Sequence, residues 1–117
     1  MFIPLKHKKL DVYKVAGEMI KEAYKISLLL PQEERFNMIP QIRRAALSVK
    51  LNLAEGSTRK SITERKRFLE ISRGSVVEID AALETAVDLE YLSVDKLEHL
   101  GSLLNRSFAM LSKMIEV

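Results

Sequence analysis

Five basic side chains in the middle of the chain have the residue types and spacing to bind an anion: Arg59, Lys60, Arg65, Lys66 and Arg67. They surround a predicted helix start, where the helix dipole disfavours each cation by about 0.3–1 kcal/mol. Phosphates could offset this cost, because an anion at a helix N-terminus also meets free N–H groups. The cluster therefore predicts a nucleic-acid surface. A solvated run of charge and a contact with an acidic surface of another subunit are the alternatives.

Arg43 extends this basic region, and the predicted nucleic-acid-binding set is Arg43, Arg59, Lys60, Arg65 and Arg67. Aromatic residues that could stack on bases are scarce, since Phe68 has core spacing and the three tyrosines are scattered. An RNA contact would therefore depend on charge and shape, with little reading of bases.

Catalytic and metal chemistry has little support in the sequence. The chain has no cysteine and only two histidines, His7 and His99. Asp95 precedes His99 by four residues, but one such pair supplies too few ligands for a metal site. No phosphate-binding loop or nucleophile elbow occurs. We expect no enzyme, no metal and no cofactor; a hydrolase would need a pocket lined by Glu55 or Glu78.

The composition predicts a helical protein of one domain. The 117 residues are 47% hydrophobic and 30% charged, and 4 Gly, 3 Pro and no Trp leave little material for a turn-rich β fold. No apolar run reaches the ~20 residues of a membrane span, so we expect a cytoplasmic protein without a membrane partner. Charge is unevenly spread: nine cations against three carboxylates from Arg43 to Arg73, and one against seven from Gly74 to Glu98.

Apolar periodicity predicts four helices. Helix 1 runs from about residue 10 to 30 and stops at Pro31; helix 2 runs from about Pro40 to Glu55, with Gly56 as a left-handed residue after its end. Ser61 and Glu64 have the spacing of a capping box that starts helix 3, and Ser93 can cap helix 4. We expect an N-terminal arm over residues 1–9 and, over residues 10–117, one all-α domain: an antiparallel up-down-up-down four-helix bundle.

Helix 2 has two apolar sides. Its core side carries Ile42, Ala45, Ala46, Val49 and Leu53, whereas the opposite side places Leu47 and Leu51 among Arg44, Ser48 and Glu55. A helix that is apolar on two sides is expected to pack against two different surfaces. Arg44 and Glu55 are too far apart to pair directly, so each needs another partner, in a polar clamp inside the bundle or in a subunit contact.

Helix 3 combines an apolar seam with a charged stripe. The predicted seam is Phe68, Ser72, Ser75, Ile79, Ala82, Ala86 and Leu89, with a second apolar flank at Leu69, Val76, Leu83 and Val87. This wide arc exceeds what a four-helix monomer would bury and favours a homo-oligomer. The opposite face carries Lys66, Glu70, Arg73, Asp80, Glu84 and Asp88, with opposite charges placed to pair at Lys66/Glu70 and Glu70/Arg73.

Three segments resemble the family of four-helix bundle proteins encoded in intervening sequences of bacterial 23S ribosomal RNA genes. They are Asp11-Val12-Tyr13-Lys14; Gln41-Ile42-Arg43-Arg44-Ala45-Ala46 continuing to Asn52-Leu53-Ala54-Glu55-Gly56; and Arg67-Phe68-Leu69 continuing to Ser72, Gly74, Ser75 and Glu78. The resemblance covers nearly the whole chain from Lys9. Pro40 and the arm Met1 to Leu5 depart from the family pattern.

The resemblance implies a four-helix protomer in a ring-like homopentamer, without established enzymatic activity. It includes a distant similarity to the accessory protein of diversity-generating retroelements, which works with a reverse transcriptase and nucleic acid. The residues expected in an oligomer contact or polar clamp are Arg44, Leu51, Asn52, Glu55 and Glu78. The partners expected from sequence are further copies of the chain and RNA or a ribonucleoprotein; a protein-interaction scaffold that binds no nucleic acid is the alternative.

Overall fold

The computed structural model describes residues 1–116, in which the regular structure is helical and no strand occurs. The four long helices are α1 (Asp11–Ser27), α2 (Met38–Ser57), α3 (Ile62–Asp88) and α4 (Glu98–Glu116). Single 3-10 turns lie at Lys6–Lys9, Gln32–Glu34 and Val94–Leu97. The prediction of an all-α fold with four helices is confirmed.

The helices enclose one apolar core. Each helix packs against the next one in the chain, and α1 also packs against α4. All four contribute fully buried side chains, among them Met19, Ile42, Ile79 and Leu103. The largest contact is between α2 and α3, where Val49 and Ser72 are buried and joined by a hydrogen bond from Ser72 Oγ to Val49 O.

Two predicted helix boundaries differ from the structure. α1 ends at Ser27 rather than near residue 30, because the N–H groups of Leu28, Leu29 and Leu30 bond to carbonyls three residues back, as in a tightened last turn. Ser93 forms no side-chain capping bond, because the chain first makes a 3-10 turn and α4 begins only at Glu98. The predicted cap at Ser61 is confirmed: its hydroxyl accepts the Glu64 N–H at 3.2 Å.

Gly56 is not the left-handed residue that the sequence suggested. It lies inside α2 and has no positive φ. A glycine is needed there because a Cβ would lie 2.7 Å from the Cβ of Phe68 on α3. The left-handed residue is Glu90, with φ 62°, where Tyr91 N–H bonds to Ala86 O and closes the end of α3.

The buried face of α3 lies between its two predicted flanks. It consists of Leu69, Ser72, Val76, Ile79, Leu83 and Ala86. Leu89, expected in the seam, is 51% exposed. The expected pairs Lys66/Glu70 and Glu70/Arg73 are absent from the ion pairs of residues 1–116, and Arg73 instead donates to Ser112 Oγ on α4 at 3.1 Å.

The N-terminal segment folds back on the bundle through His7. This side chain is 6% exposed and meets the Tyr13 ring edge-on, with centroids 5.0 Å apart. Burial, and secondarily the charge of Lys8, lower the pKa of His7 below its usual value. Met1 and Phe2 remain exposed.

The two glycines Gly56 and Gly74 predict opposite effects of the same substitution. Gly56→Ala should lower the free energy of unfolding by about 1–3 kcal/mol, because the new methyl group would clash with Phe68 and push α2 away from α3. Gly74→Ala should raise it by about 1 kcal/mol, since a Cβ there meets no atom within 4 Å and alanine favours a helix. Urea unfolding of both variants measures the difference, and equal effects would contradict the close approach at Gly56.

The buried His7 predicts a pH-dependent stability. The unfolded chain takes up the imidazole proton at about pH 6.5, before the folded chain does, so the free energy of unfolding should fall as the pH drops through that value. Above it, His7 contributes no slope. Urea unfolding at pH 8 and pH 5.5 should show a larger loss for the wild type than for His7→Phe, which cannot titrate. Equal losses would mean that His7 is not desolvated.

Candidate nucleic-acid interface

The turn between α2 and α3 brings the basic cluster to one end of the bundle. Hydroxyl groups satisfy the last carbonyls of α2: Ser57 Oγ donates to Leu53 O and Thr58 Oγ1 to Glu55 O, at 2.7 and 2.8 Å. Ser61 then caps α3 four residues after α2 ends. This short, bonded turn fixes where the cations that surround it emerge.

Arg59 is held against the protein rather than free in solvent. Its guanidinium pairs with the Glu55 carboxylate and lies 5.0 Å from the centre of the Phe68 ring. Its Nε is buried and has no hydrogen-bond partner. Arg59 therefore joins the end of α2 to α3, and the Glu55 carboxylate offsets its charge.

Three other cations of the cluster are open to water. Lys60, Arg65 and Arg67 are exposed. Arg65 Nε donates to the Arg59 carbonyl, and Arg67 lies 3.6 Å from Glu64 in an ion pair that is 70% exposed on the arginine side. Exposed pairs of this kind contribute about 0–1 kcal/mol, so phosphate oxygens can replace the carboxylate at low cost. We call Lys60, Arg65 and Arg67 the basic surface.

Arg43 lies apart from the basic surface. Its Nε donates to Ser27 Oγ at 2.9 Å, and its guanidinium covers the Tyr24 ring at 4.8 Å, so it joins α2 to α1. Along α2 it is about 20 Å from the turn, at 1.5 Å per residue. The fold therefore does not bring Arg43 together with the other four predicted residues.

Asn52 and Glu78 lie in a polar seam between α2 and α3. Asn52 Nδ2 donates to Ser48 O and Oγ, and Ser75 Oγ reaches Ser48 Oγ across the helices, all at 2.9 Å. Gln41 Nε2 donates to Glu78 Oε1 at 2.8 Å. The position of Asn52 on α2 could be recognised from sequence spacing. Spacing did not predict the hydrogen bond between Gln41 and Glu78, because these residues are 37 positions apart.

The second apolar side of α2 is open to solvent in the protomer. Leu47 is 41% and Leu51 56% exposed. Arg44 beside them is exposed and has no ion pair or hydrogen bond within residues 1–116. Glu55, at the other end of this side, is engaged by Arg59. Leu51 also borders a groove of about 520 Å³ beneath the N-terminal segment.

The arrangement of carboxylates and imidazoles over residues 1–116 includes no group of three that could hold a metal ion. Glu55 and Glu78 have separate partners, Arg59 and Gln41. None of the helices in this range has the length and apolar character that crossing a membrane requires.

Comparison with known proteins gives a family and a fold. Residues 8–113 match the family model described as 23S rRNA-intervening sequence protein. A crystal structure of a protein of unknown function from the S23 ribosomal protein family of Bacteroides thetaiotaomicron is similar, with a TM-score of 0.82 and 20% sequence identity. The similarity covers 91% of this chain and 99% of that chain. No curated protein matches.

The family match begins in the N-terminal 3-10 turn and extends almost to the end of α4. It includes the polar seam and the basic surface. The resemblance read from the sequence is thereby confirmed. The chain belongs to the family of 23S rRNA-intervening sequence proteins.

Proposed function

We propose that this protein is a non-enzymatic, homo-oligomeric helical bundle that binds RNA or a ribonucleoprotein through its basic surface. The observation that carries the proposal is the exposure of Lys60, Arg65 and Arg67 at one end of the bundle, while the nearby Glu55 is engaged by Arg59.

The chemistry of this surface favours phosphate contacts over base contacts. Phe68, which follows the cluster directly in the sequence, is half-buried and covered by Arg59, so its ring is not free for a base to stack on. Each phosphate neutralised by a cation releases counterions, which makes binding strongly dependent on salt. In the proposed complex, the backbone N–H groups at the start of α3 add to the cations of the basic surface in binding phosphate.

The proposed assembly is a ring of five protomers, each an up-down-up-down bundle. Contacts between neighbouring helices support the antiparallel order: Ser27 with Arg43, Ser48 with Ser75, and Arg73 with Ser112.

In this proposal residues 10–117 are one domain after the arm 1–9, and the protein is cytoplasmic. Five copies of the basic surface would bind one RNA more tightly than one copy. The similarity to retroelement accessory proteins stays a prediction.

A scaffold for protein–protein contacts without RNA is the second candidate. The observation that favours it is the exposure of Leu47 and Leu51 beside the unpaired Arg44. In this case the charges of the α2–α3 turn would organise the assembly. Neutralising them would change the number of subunits, and the protein would bind no RNA.

The RNA proposal predicts a specific salt dependence. We expect the triple variant Lys60→Gln, Arg65→Gln and Arg67→Gln to bind a labelled structured RNA at least tenfold more weakly than wild type at low salt. The slope of log K against log salt should become shallower by about two to three, because each lost phosphate contact removes ~0.7–0.9. Fluorescence anisotropy at several salt concentrations measures both. Arg59 is left intact because it also holds α2 to α3.

The matched control removes three exposed lysines of α1 in the same way: Lys14→Gln, Lys21→Gln and Lys25→Gln. It has the same net charge as the triple variant, so a loss of binding that is limited to the basic surface separates a local site from general attraction. Equal losses in both variants, or no binding of RNA by wild type at low salt, would contradict the proposal.

A further inference from the structure

Two uncovered apolar features lie on different sides of the protomer. The first, which we call the outer stripe, is Arg44, Leu47 and Leu51 on α2, with the leucines 41% and 56% exposed. The second is a groove of about 430 Å³ between α3 and α4, bordered by Val77 and Phe108. These two side chains are 51% and 42% exposed. Grouped apolar side chains that are flanked by charged residues mark candidate contacts with another protein.

The groove has the shape to receive side chains. Gly101 keeps its centre open, because a Cβ at that position would meet no atom within 4 Å. Its volume is more than ten times the ~30 Å³ that a water molecule occupies in the liquid. Asp80 also borders the groove. Next to Phe108, Arg73 lies 5.6 Å from the centre of the ring and donates to Ser112 Oγ.

The outer stripe and the groove match in spacing and in charge. Arg44 precedes Leu47 by three residues and Leu51 by seven; Asp80 follows Val77 by three and Arg73 by seven. Each set therefore extends about 10.5 Å along its helix. If α2 of one copy lies antiparallel to α3 of another, Arg44 meets Asp80, Leu47 meets Val77, and Leu51 comes opposite Arg73, whose guanidinium lies over Phe108. Neither Arg44 nor Asp80 has an ion-pair partner within residues 1–116.

We infer that the outer stripe of one copy docks into the α3–α4 groove of a second copy, with Arg44 paired to Asp80 across the contact. The inference rests on the assembly in the proposed function and specifies which surfaces form it. The two surfaces are different patches, so the contact is heterologous and repeats from copy to copy, as a closed ring requires.

A symmetric dimer through α2 alone is less well supported. It would place Arg44 opposite Glu55 of the second copy, but that carboxylate already pairs with Arg59. Such a dimer would leave the α3–α4 groove uncovered. The two arrangements differ in whether Asp80 takes part.

Charge exchange tests the contact directly. Arg44→Asp and Asp80→Arg should each raise the dissociation constant of the assembly at least tenfold, and the double variant should return to within about threefold of wild type. Sedimentation equilibrium over a range of concentrations measures this. The matched controls Lys21→Asp and Asp88→Arg change the same charges at exposed positions outside both surfaces and should leave assembly unchanged.

Filling the groove gives a second test that does not depend on charge. Gly101→Phe should weaken assembly at least tenfold while urea unfolding shows that the bundle is retained, and Gly101→Ala should leave assembly intact. Oligomers that withstand Arg44→Asp and Asp80→Arg would overturn this contact alone. Sensitivity to Arg44→Asp without sensitivity to Asp80→Arg would overturn it in favour of the α2 dimer. A wild type that is monomeric at every concentration would overturn the proposed assembly as well, whereas RNA anisotropy would still test the basic surface.

Discussion

The close approach of α2 and α3 is the constraint on which the rest of the molecule depends. Gly56 lets the helices meet at Phe68, and Ser72 Oγ donates to Val49 O at 2.7 Å inside the contact. Leaving a buried polar group without its partner costs about 1–3 kcal/mol, so a shift of one helix along the other would be costly. This fixed register determines the path of the α2–α3 turn, and the turn determines where the basic surface emerges.

Each side of α2 makes a different kind of contact. Ile42, Val49 and Leu53 fill the core, and on the side facing α1 Arg43 covers Tyr24. The side toward α3 carries the polar seam, in which Ser48, Asn52 and their partners are bonded within the chain. The outer stripe has exposed leucines and takes part in no ion pair within residues 1–116. Of the polar residues that the sequence suggested for a clamp or an oligomer contact, Asn52, Glu55 and Glu78 are bonded within one chain, whereas Arg44 has no ion pair within residues 1–116.

The sequence allowed the helices and much of the core to be predicted, because apolar spacing at 3.6 residues reports burial directly. The role predicted for Gly56 was wrong, because glycine is favoured both where two helices approach closely and where a helix ends in a left-handed residue. It also missed Glu90, whose type gives no sign of a positive φ. In the candidate site, exposure separated Lys60, Arg65 and Arg67 from Arg43 and Arg59. That distinction depends on neighbours distant in sequence and cannot be read from spacing.

The central claim is that copies of one small bundle assemble and present a shared basic surface to RNA. Native mass spectrometry of the wild type, alone and mixed with a structured RNA at low salt, tests it most directly. We expect a species of five protomers, each of 13.4 kDa, and the same number of protomers in the complex with RNA. A single protomer at all concentrations, or RNA bound only to single protomers, would contradict the account.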